Sequence, residues 1–374
     1  MNFSQPAAPH LLIDKERCML NIERMSGKAL AGSVNFRPHF KTHQSTEVGN
    51  WFRESGVKKI TVSSLRMAYY FAAHGWQDIL VGIAYNPGEH KLYEQLAQNC
   101  RLSLTIASAQ AAEILASVCT TPLDVMIKLD TGYNRSGIIW DDEKELLKAI
   151  KSLKSNKRLH IKGLMTHEGT TYTLDSKHDI LNNYRQSVER LRAARQLTGI
   201  DDLILSSGDT PSASLVNDFM GINEIRPGNF VFYDLMQYSI GSCEFSNIAL
   251  AMICPVIDVR PARGNVVIHG GAVHFSKDSI KKGTGPVYGM LAEYKGNSWE
   301  KGTEEIYITS LSQEHGIIHC PGSKLLNNAK CGQQLAVIPV HSCLTADCMG
   351  GYYITGGGRA DHMKKSCQDS LSLP

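Results

Sequence analysis

The sequence has no CxxC pair among its 10 cysteines, which are scattered along the chain. A disulfide framework is therefore not expected, and reduced thiols in a cytoplasmic protein are. No apolar run reaches membrane-spanning length. Residues 1–9 are polar and dotted with proline, without the charged-then-apolar order of a secretory leader. Neither a membrane segment nor export is expected. There is no long basic run, and the formal net charge is only +3, so nucleic acid is not an expected partner. Internal repeats and low-complexity segments are also missing. What remains is 374 residues, 43% hydrophobic and 20% charged, enough for a large core and two domains. The tail from Lys364 to Pro374 reads as frayed.

From Arg37 onward the chain alternates strand-like and helix-like segments. The strand-like pieces are 37–41, 58–63, 78–83, 102–106, 124–130, 160–167, 202–206 and 225–232. Helical runs follow them, such as 108–118, where Ser108 is a good N-cap, and 175–197. Before them, His10–Asp14 reads as a strand and 15–30 as a helix with Leu20, Ile22, Met25 and Leu30 among its apolar positions. Eight alternations predict a closed (β/α)8 barrel over residues 15–242. From about Cys243 the pattern turns to strands separated by Gly, Pro and Asn. Residues 243–374, joined by residues 1–14, are expected to form a second, mostly β domain. Trp51, Trp76 and Phe71 read as core.

The conspicuous stretch is Arg37-Pro38-His39-Phe40-Lys41-Thr42-His43. Lys41 falls where a buried strand hands over to a helix. A desolvated lysine loses its charge easily and becomes a nucleophile or Schiff-base partner, so Lys41 is a candidate to carry an aldehyde cofactor. His39 and His43 are read as orienting the strand end. In a barrel, functional groups sit on loops at the C-terminal ends of the strands. The loops there are 130–137 with Arg135, 167–172 with His167 and Tyr172, 206–210 with Ser207 and Thr210, and 226–229 with Gly228 and Asn229. Small, hydroxyl-bearing and glycine residues after the seventh and eighth strands suit a phosphate. Each loop alone reads as turn chemistry; their placement on one rim points to a site. Lys128 reads equally as a buried ion pair with a neighbouring carboxylate.

In the β domain, His341-Ser342-Cys343 places an imidazole and a thiol two residues apart. On a strand they would share a face and could grip one Zn²⁺ with positions left open. Asp347 and Cys348 are candidate supporting groups. His315/His319/Cys320 and His269/His274 are weaker metal-like spacings, since nothing ties them to the barrel rim.

Pro38-His39-Phe40-Lys41-Thr42-His43 resembles the cofactor-lysine motif of the alanine racemase-like (fold-type III) pyridoxal phosphate enzymes, in the D-serine dehydratase and D-threonine aldolase branch. The resemblance runs from the Leu11 strand to Tyr353. Lys128-Leu129-Asp130-Thr131-Gly132, with Arg135 and Gly137, is similar to a segment shared with alanine racemases, where the arginine contacts the cofactor's phenolic oxygen. By the same resemblance His167 and Tyr172 line the ring, and Thr210, with Gly228 and Asn229 eighteen residues on, grips the phosphate. His341 and Cys343 match the His-x-Cys metal pair typical of the dehydratases. Gln44 stands where a basic residue is common, and Met165 where a tyrosine is. No segment matches the racemase's second-base tyrosine, which argues against a two-base racemase.

The resemblance implies a homodimeric lyase acting on a D-configured β-hydroxy amino acid. Lys41 would hold pyridoxal 5'-phosphate and then take the Cα proton. Zn²⁺, or another divalent metal, on His341 and Cys343 would draw on the β-hydroxyl. Elimination of water would give a 2-oxo acid and ammonia. The alternatives are a retro-aldol cleavage to glycine and an aldehyde, an amino-acid racemase, and a non-catalytic carrier of the cofactor. The β domain, roughly a third of the chain, speaks against a carrier built as a lone barrel.

Overall fold

The structure, a computed structural model, describes residues 6–283 and 285–366; the tail expected to fray lies outside them beyond Ser366. The chain forms two compact units. One comprises residues 23–41 and 51–228. The other comprises the chain through Ile22, the segment Thr42–Asn50, and the chain from Asn229 onward. This division differs from boundaries at 14/15 and 242/243. Residues 42–45 group with the second unit because their partners are there: Met363 N–H donates to the Gln44 carbonyl, and Ser45 Oγ donates to Asp361.

In the barrel unit the parallel strands stand in the order Asn35–Phe36, Glu224–Ile225, Ile204–Ser207, Leu159–Thr166, Leu123–Asp130, Arg101–Ile106, Asp78–Ala84 and Lys59–Val62. A parallel bridge between His39 and Thr61 brings the two ends together, so the eight-strand barrel expected from the alternation is present and nearly closed. The central strands are buried along almost their whole length, which is why they read as continuous apolar runs rather than alternating ones. Helices start where a Ser or Asp supplies an oxygen to the third helical N–H. Ser64, Ser108, Asp142, Ser176 and Asp209 all do so.

The first and last strands are shorter than predicted. The first is Asn35–Phe36 followed by the His39 bridge, since Pro38 has no N–H for a ladder. The last is Glu224–Ile225; Pro227 interrupts it, and Asn229–Val231 forms a 3-10 turn. The helix predicted at 15–30 runs from Lys15 to Ala31. Leu20 and Leu30 are 44% and 81% exposed, whereas Cys18, Ile22, Met25 and Ala29 are buried. Those four, spaced by four, three and four, form the helical stripe.

In the second unit, His10–Ile13 pairs antiparallel with Leu250–Arg260 and parallel with Tyr352–Ile354, so the N-terminal strand joins this sheet as expected. Gln334–Pro339 lies on the other side of Leu250–Arg260, and Gly289–Tyr294 beyond it. Among the described residues no helix is long and apolar enough to cross a membrane.

Trp51, Trp76 and Phe71 are buried as predicted. The last two surround Phe40, whose ring centroid lies 5.0 Å from each and 4.9 Å from that of Phe52. Such edge-on packing adds to the area buried, and it fixes the backbone one residue before Lys41. Phe40→Ala is expected to cost about 3–5 kcal/mol in urea unfolding; a loss below about 1 kcal/mol would show that this cluster does not anchor the turn.

Candidate active site

Lys41 lies in the turn that follows the first barrel strand, and its backbone N–H donates to His39 Nδ1 at 3.3 Å. The expected desolvation is not supplied by the local packing: Lys41 is exposed, while Phe40 and residues 42–45 are buried. What gathers near it is charge. The His167 imidazole is pushed down to about 3 by burial and by the positive charges of Lys41, Arg135 and Arg226, against the pull of its bond to the Gly208 carbonyl. His167 Nδ1 donates to that carbonyl. The ring is therefore neutral, with a lone pair left on Nε2.

The 130–137 loop is shaped by Asp130, whose Oδ1 accepts from the N–H groups of Gly132 (2.9 Å) and Asn134 (3.0 Å). Gly137 has φ +128°, and a Cβ there would lie 2.7 Å from the Leu129 carbonyl carbon, so no side chain fits. Arg135 lies 5.0 Å from the centroid of Tyr133, and Tyr133 stands edge-on to His167 at 6.2 Å. Gly169 leaves room for the Tyr133 ring. Lys128 is not in the carboxylate ion pair considered for it: Nζ donates to Ser136 Oγ at 2.6 Å. Burial, Arg135 and Arg226 bring its amine down to about 8, against Asp130.

The loops after the seventh and eighth strands are stitched together. Thr210 N–H donates to the Tyr172 hydroxyl at 3.3 Å, and Gly228 N–H donates to Thr210 Oγ1 at 3.3 Å. The Ser207 carbonyl accepts from Arg226 N–H at 2.8 Å. Lys41, Arg135, His167, Tyr172, Ser207, Thr210 and Gly228 thus all belong to the strand-end loops of the barrel unit. Arg226 was missed as a site residue. The Arg-Pro-Gly at the end of the last strand was its only signal. Its guanidinium is buried, donates to the Thr166 carbonyl (2.6 Å) and to Ser206 Oγ, and lies where a Cβ on Gly208 would be. Burial lowers it to about 10, with Glu224 opposing.

Two buried carboxylates lie behind these loops. Glu168 accepts from Thr131 and from Ser187 (2.9 Å). Asp209 caps the following helix through Oδ1, bonded to Ser212 N–H at 2.7 Å, while Oδ2 has no hydrogen-bond partner among the described residues. Burial, with Glu168 adding to it, raises Asp209 to about 6.

In the second unit, His341 and Cys343 do not lie on a strand. The strand ends at Pro339; His341 is the N-cap of helix Ser342–Met349, and Cys343 is in its first turn. The two side chains still converge. Burial opposes a charge on His341, but its bond to Asp278 and the Cys343 sulfur raise it to about 11. His341 Nδ1 meets Asp278 Oδ2 at 2.6 Å. Cys343 Sγ donates to Thr42 Oγ1 at 3.3 Å. The Asn229 side chain donates to Asp234 (2.6 Å), Ser342 Oγ (3.0 Å) and Cys343 Sγ (3.6 Å), and its buried Oδ1 has no hydrogen-bond partner among the described residues. Asp347 is turned to Gln44 (3.2 Å) and Lys364 (2.5 Å). Asp278 could not be found from sequence, being 63 residues from His341. His319 ends its strand exposed and Cys320, the next residue, is buried, so that set does not converge.

A parallel barrel with a lysine, cations and a neutral imidazole on its strand-end loops is an enzyme scaffold of the kind that holds an aldehyde cofactor. The model of the alanine racemase N-terminal domain matches residues 13–235, and that of a putative serine dehydratase domain matches residues 249–355. The chain belongs to the alanine racemase-like family, in the form that carries the dehydratase domain. It is 31% identical to a D-threo-3-hydroxyaspartate dehydratase of Delftia sp. (strain HT23), over 90% of this chain and 91% of that one. A D-serine dehydratase of Dictyostelium discoideum is 26% identical over 89% of both chains. The solved structure of the Delftia enzyme superposes with a TM-score of 0.87 at 28% identity, covering 95% of this chain and 97% of that one.

The residues fit the cofactor that the family implies. Lys41 offers the amine, Arg135 a cation for a phenolate, and the Ser207–Thr210 loop with Gly228 offers hydroxyls and close backbone approach for a phosphate. They also fit a metal. Asp278 occupies Nδ1 of His341, which leaves Nε2 and the Cys343 sulfur as a nitrogen–sulfur donor pair.

Asp209 gives a test of how these loops are balanced. Its raised pKa means the folded state binds the extra proton, so its contribution to stability falls as pH rises from about 4 to about 6. Asp209→Asn keeps the cap and drops the charge. Its unfolding free energy relative to wild type is expected to gain about 2–3 kcal/mol between pH 4 and pH 7, measured by urea titration. A pH-independent difference would show that Asp209 is charged throughout.

Proposed function

We propose that this protein is a pyridoxal phosphate- and metal-dependent lyase that removes water from a D-configured β-hydroxy amino acid, giving a 2-oxo acid and ammonia. The observation that carries the reading is the presence in one chain, matched along nine-tenths of its length to a dehydratase, of the Lys41 rim and the His341–Cys343 couple. Solved variants of a D-threo-3-hydroxyaspartate dehydratase replace by alanine a histidine and a cysteine two positions later, the spacing of His341 and Cys343 here, and the cysteine variant is in a metal-free form.

Lys41 would carry the cofactor, Arg135 would meet its phenolic oxygen, His167 and Tyr172 would line its ring, and Ser207, Thr210, Gly228 and Asn229 would hold its phosphate. When bound, pyridoxal phosphate supplies an electron sink for the pair left at Cα, and the metal supplies a Lewis-acid pull on the β-hydroxyl. The Lys41 amine would be the base that takes the Cα proton. The Cβ–O bond then breaks as the Cα–Cβ double bond forms, and the enamine set free hydrolyses to the oxo acid and ammonia. His167, neutral through burial and its cationic neighbours, presents a lone pair and adds no positive charge beside Lys41 and Arg135. His341 and Cys343 hold the metal. A nitrogen–sulfur pair favours zinc over harder ions. Asp278 holds Nδ1 of the His341 imidazole, so Nε2 would be the nitrogen offered to an ion. None of the nine cysteines among the described residues forms a disulfide, which accords with a reducing cytoplasm. A homodimer is part of this reading.

Wild-type protein, reconstituted with pyridoxal phosphate and zinc, is expected to release oxo acid and ammonia from D-serine or D-threo-3-hydroxyaspartate. Lys41→Ala is expected to lose both turnover and the visible absorbance of the lysine-bound cofactor. Glycine and an aldehyde without oxo acid would instead assign the retro-aldol cleavage, and a cofactor band without turnover would leave a carrier. Asp278→Ala is expected to weaken metal binding by about 10–100-fold in a competition titration, with Asp278→Asn recovering part of it; unchanged affinity would remove Asp278 from the site.

A further inference from the structure

The second unit contains another convergence of ligating groups that the reaction does not use. His269 ends the strand Asn265–His269, which pairs antiparallel with His315–His319 so that His269 stands opposite His315. Glu314, one residue earlier, is therefore at the same end of the ladder, and its carbonyl accepts from Gly270 N–H at 2.9 Å. The chain turns at Gly270–Gly271, where a Cβ on Gly271 would run into the Gln313–Glu314 backbone. The short helix Ala272–Phe275 then brings His274 back.

We propose that His269, His274 and Glu314 form a second divalent-metal site of the zinc class, apart from His341 and Cys343. One ligand atom from each of the three lies within 4.8 Å of the others, and among the described residues they are the one such set of three. His269 Nε2 is 3.7 Å from Glu314 Oε2. The two imidazole planes are perpendicular, at 89°, with centroids 5.2 Å apart, so two ring nitrogens can point at one ion without the rings clashing. Donors about 2.0–2.2 Å from a tetrahedral zinc stand about 3.4 Å from one another. The side chains of His269 and Glu314 are 40% and 46% exposed, which leaves them free to close that gap. Two neutral imidazoles and one carboxylate form an ordinary three-ligand set with a position left for water. Burial and His269 keep His274 toward the neutral form that binds metal.

One hydrogen bond changes on binding. Gly271 N–H donates to His274 Nδ1 at 3.2 Å. Ligation through Nε2 moves the ring proton to Nδ1 and replaces that bond, so one hydrogen bond is exchanged against three coordinate bonds. The ion would brace a segment that matters to the other pair. Asp278, the partner of His341, follows four residues after His274, and the Phe275 carbonyl accepts from Thr345 in the helix that carries Cys343.

The test is a metal count on full-length protein, stripped with chelator, loaded with zinc and desalted. Wild type is expected to retain two zinc ions per chain, His269→Ala, His274→Ala and Cys343→Ala one each, and His269→Ala with Cys343→Ala none. Circular dichroism checks that each variant is folded, and Glu314→Gln, which preserves shape, is expected to weaken retention at least tenfold. The site does not rest on the dehydratase reading, and the two fail separately. One zinc per chain that is lost with Cys343 and unaffected by His269 or His274 overturns this proposal alone. One zinc lost with His269 and unaffected by Cys343 upholds it and overturns the other pair. Zinc that washes off on desalting in every variant overturns it as surface binding.

Discussion

A reactive lysine must be reachable, yet its backbone must not move, and the chain around Lys41 meets both demands by alternating burial. Lys41 is exposed between a buried phenylalanine and four buried residues. On the N-terminal side, Phe40 is wedged among Phe52, Phe71 and Trp76. On the C-terminal side, the Tyr352 hydroxyl donates to the His43 carbonyl at 2.6 Å, Met363 N–H donates to the Gln44 carbonyl at 2.8 Å, and Asp361 holds Ser45. Gln44 takes φ +48°, a conformation that costs a non-glycine residue roughly 1 kcal/mol or more and persists only where neighbours over-determine it. Its side-chain bond to Asp347 and its carbonyl bond to Met363 do that.

The charges of the barrel unit follow a second constraint, since cations crowded on one rim need anions that do not neutralise them there. Glu224 is buried, and its carboxylate takes Arg37 at 2.8 Å and Ser206 at 2.8 Å. Arg37 also meets Asp78 at 2.6 Å. Glu224 thus compensates Arg226 from within the barrel and leaves the rim to Lys41 and Arg135. Breaking such a buried network by removing one partner costs several kcal/mol, because the remaining charge has no water to turn to. His167 sits beside these cations and is held neutral by them, which is the state in which a ring can lie near a cationic amine without repelling it.

Much of this was legible in the sequence, and the failures have physical reasons. Eight alternations gave the barrel because strand and helix periods differ strongly over ten residues. The strand ends were misjudged at Arg37–Lys41 and at Ile225–Phe232, since proline removes ladder N–H groups that apolar patterning does not register. His341 and Cys343 were placed on a strand. A spacing of two cannot separate a strand from the cap and first turn of a helix, as both geometries bring such side chains together. The side-chain partners of Asn229 could not be read from its place after Gly228, because Asp234, Ser342 and Cys343 come to its amide only in the tertiary fold. Asp278 and Glu314 left no local signal, because each acts on a residue that adjoins it only once the sheet is formed.

The chain passes between its two compact units four times, at Ile22–Glu23, Lys41–Thr42, Asn50–Trp51 and Gly228–Asn229. Thr42 accepts from Cys343, and Asn229 donates to it, so the residues after two of these crossings are bonded to the candidate metal ligand. A lysine side chain has a flexible four-carbon stem. With the backbone held at both neighbours, that stem is where the residue has freedom to move. That is what a group needs if it is first to anchor a cofactor and then, once displaced, to reach a proton nearby.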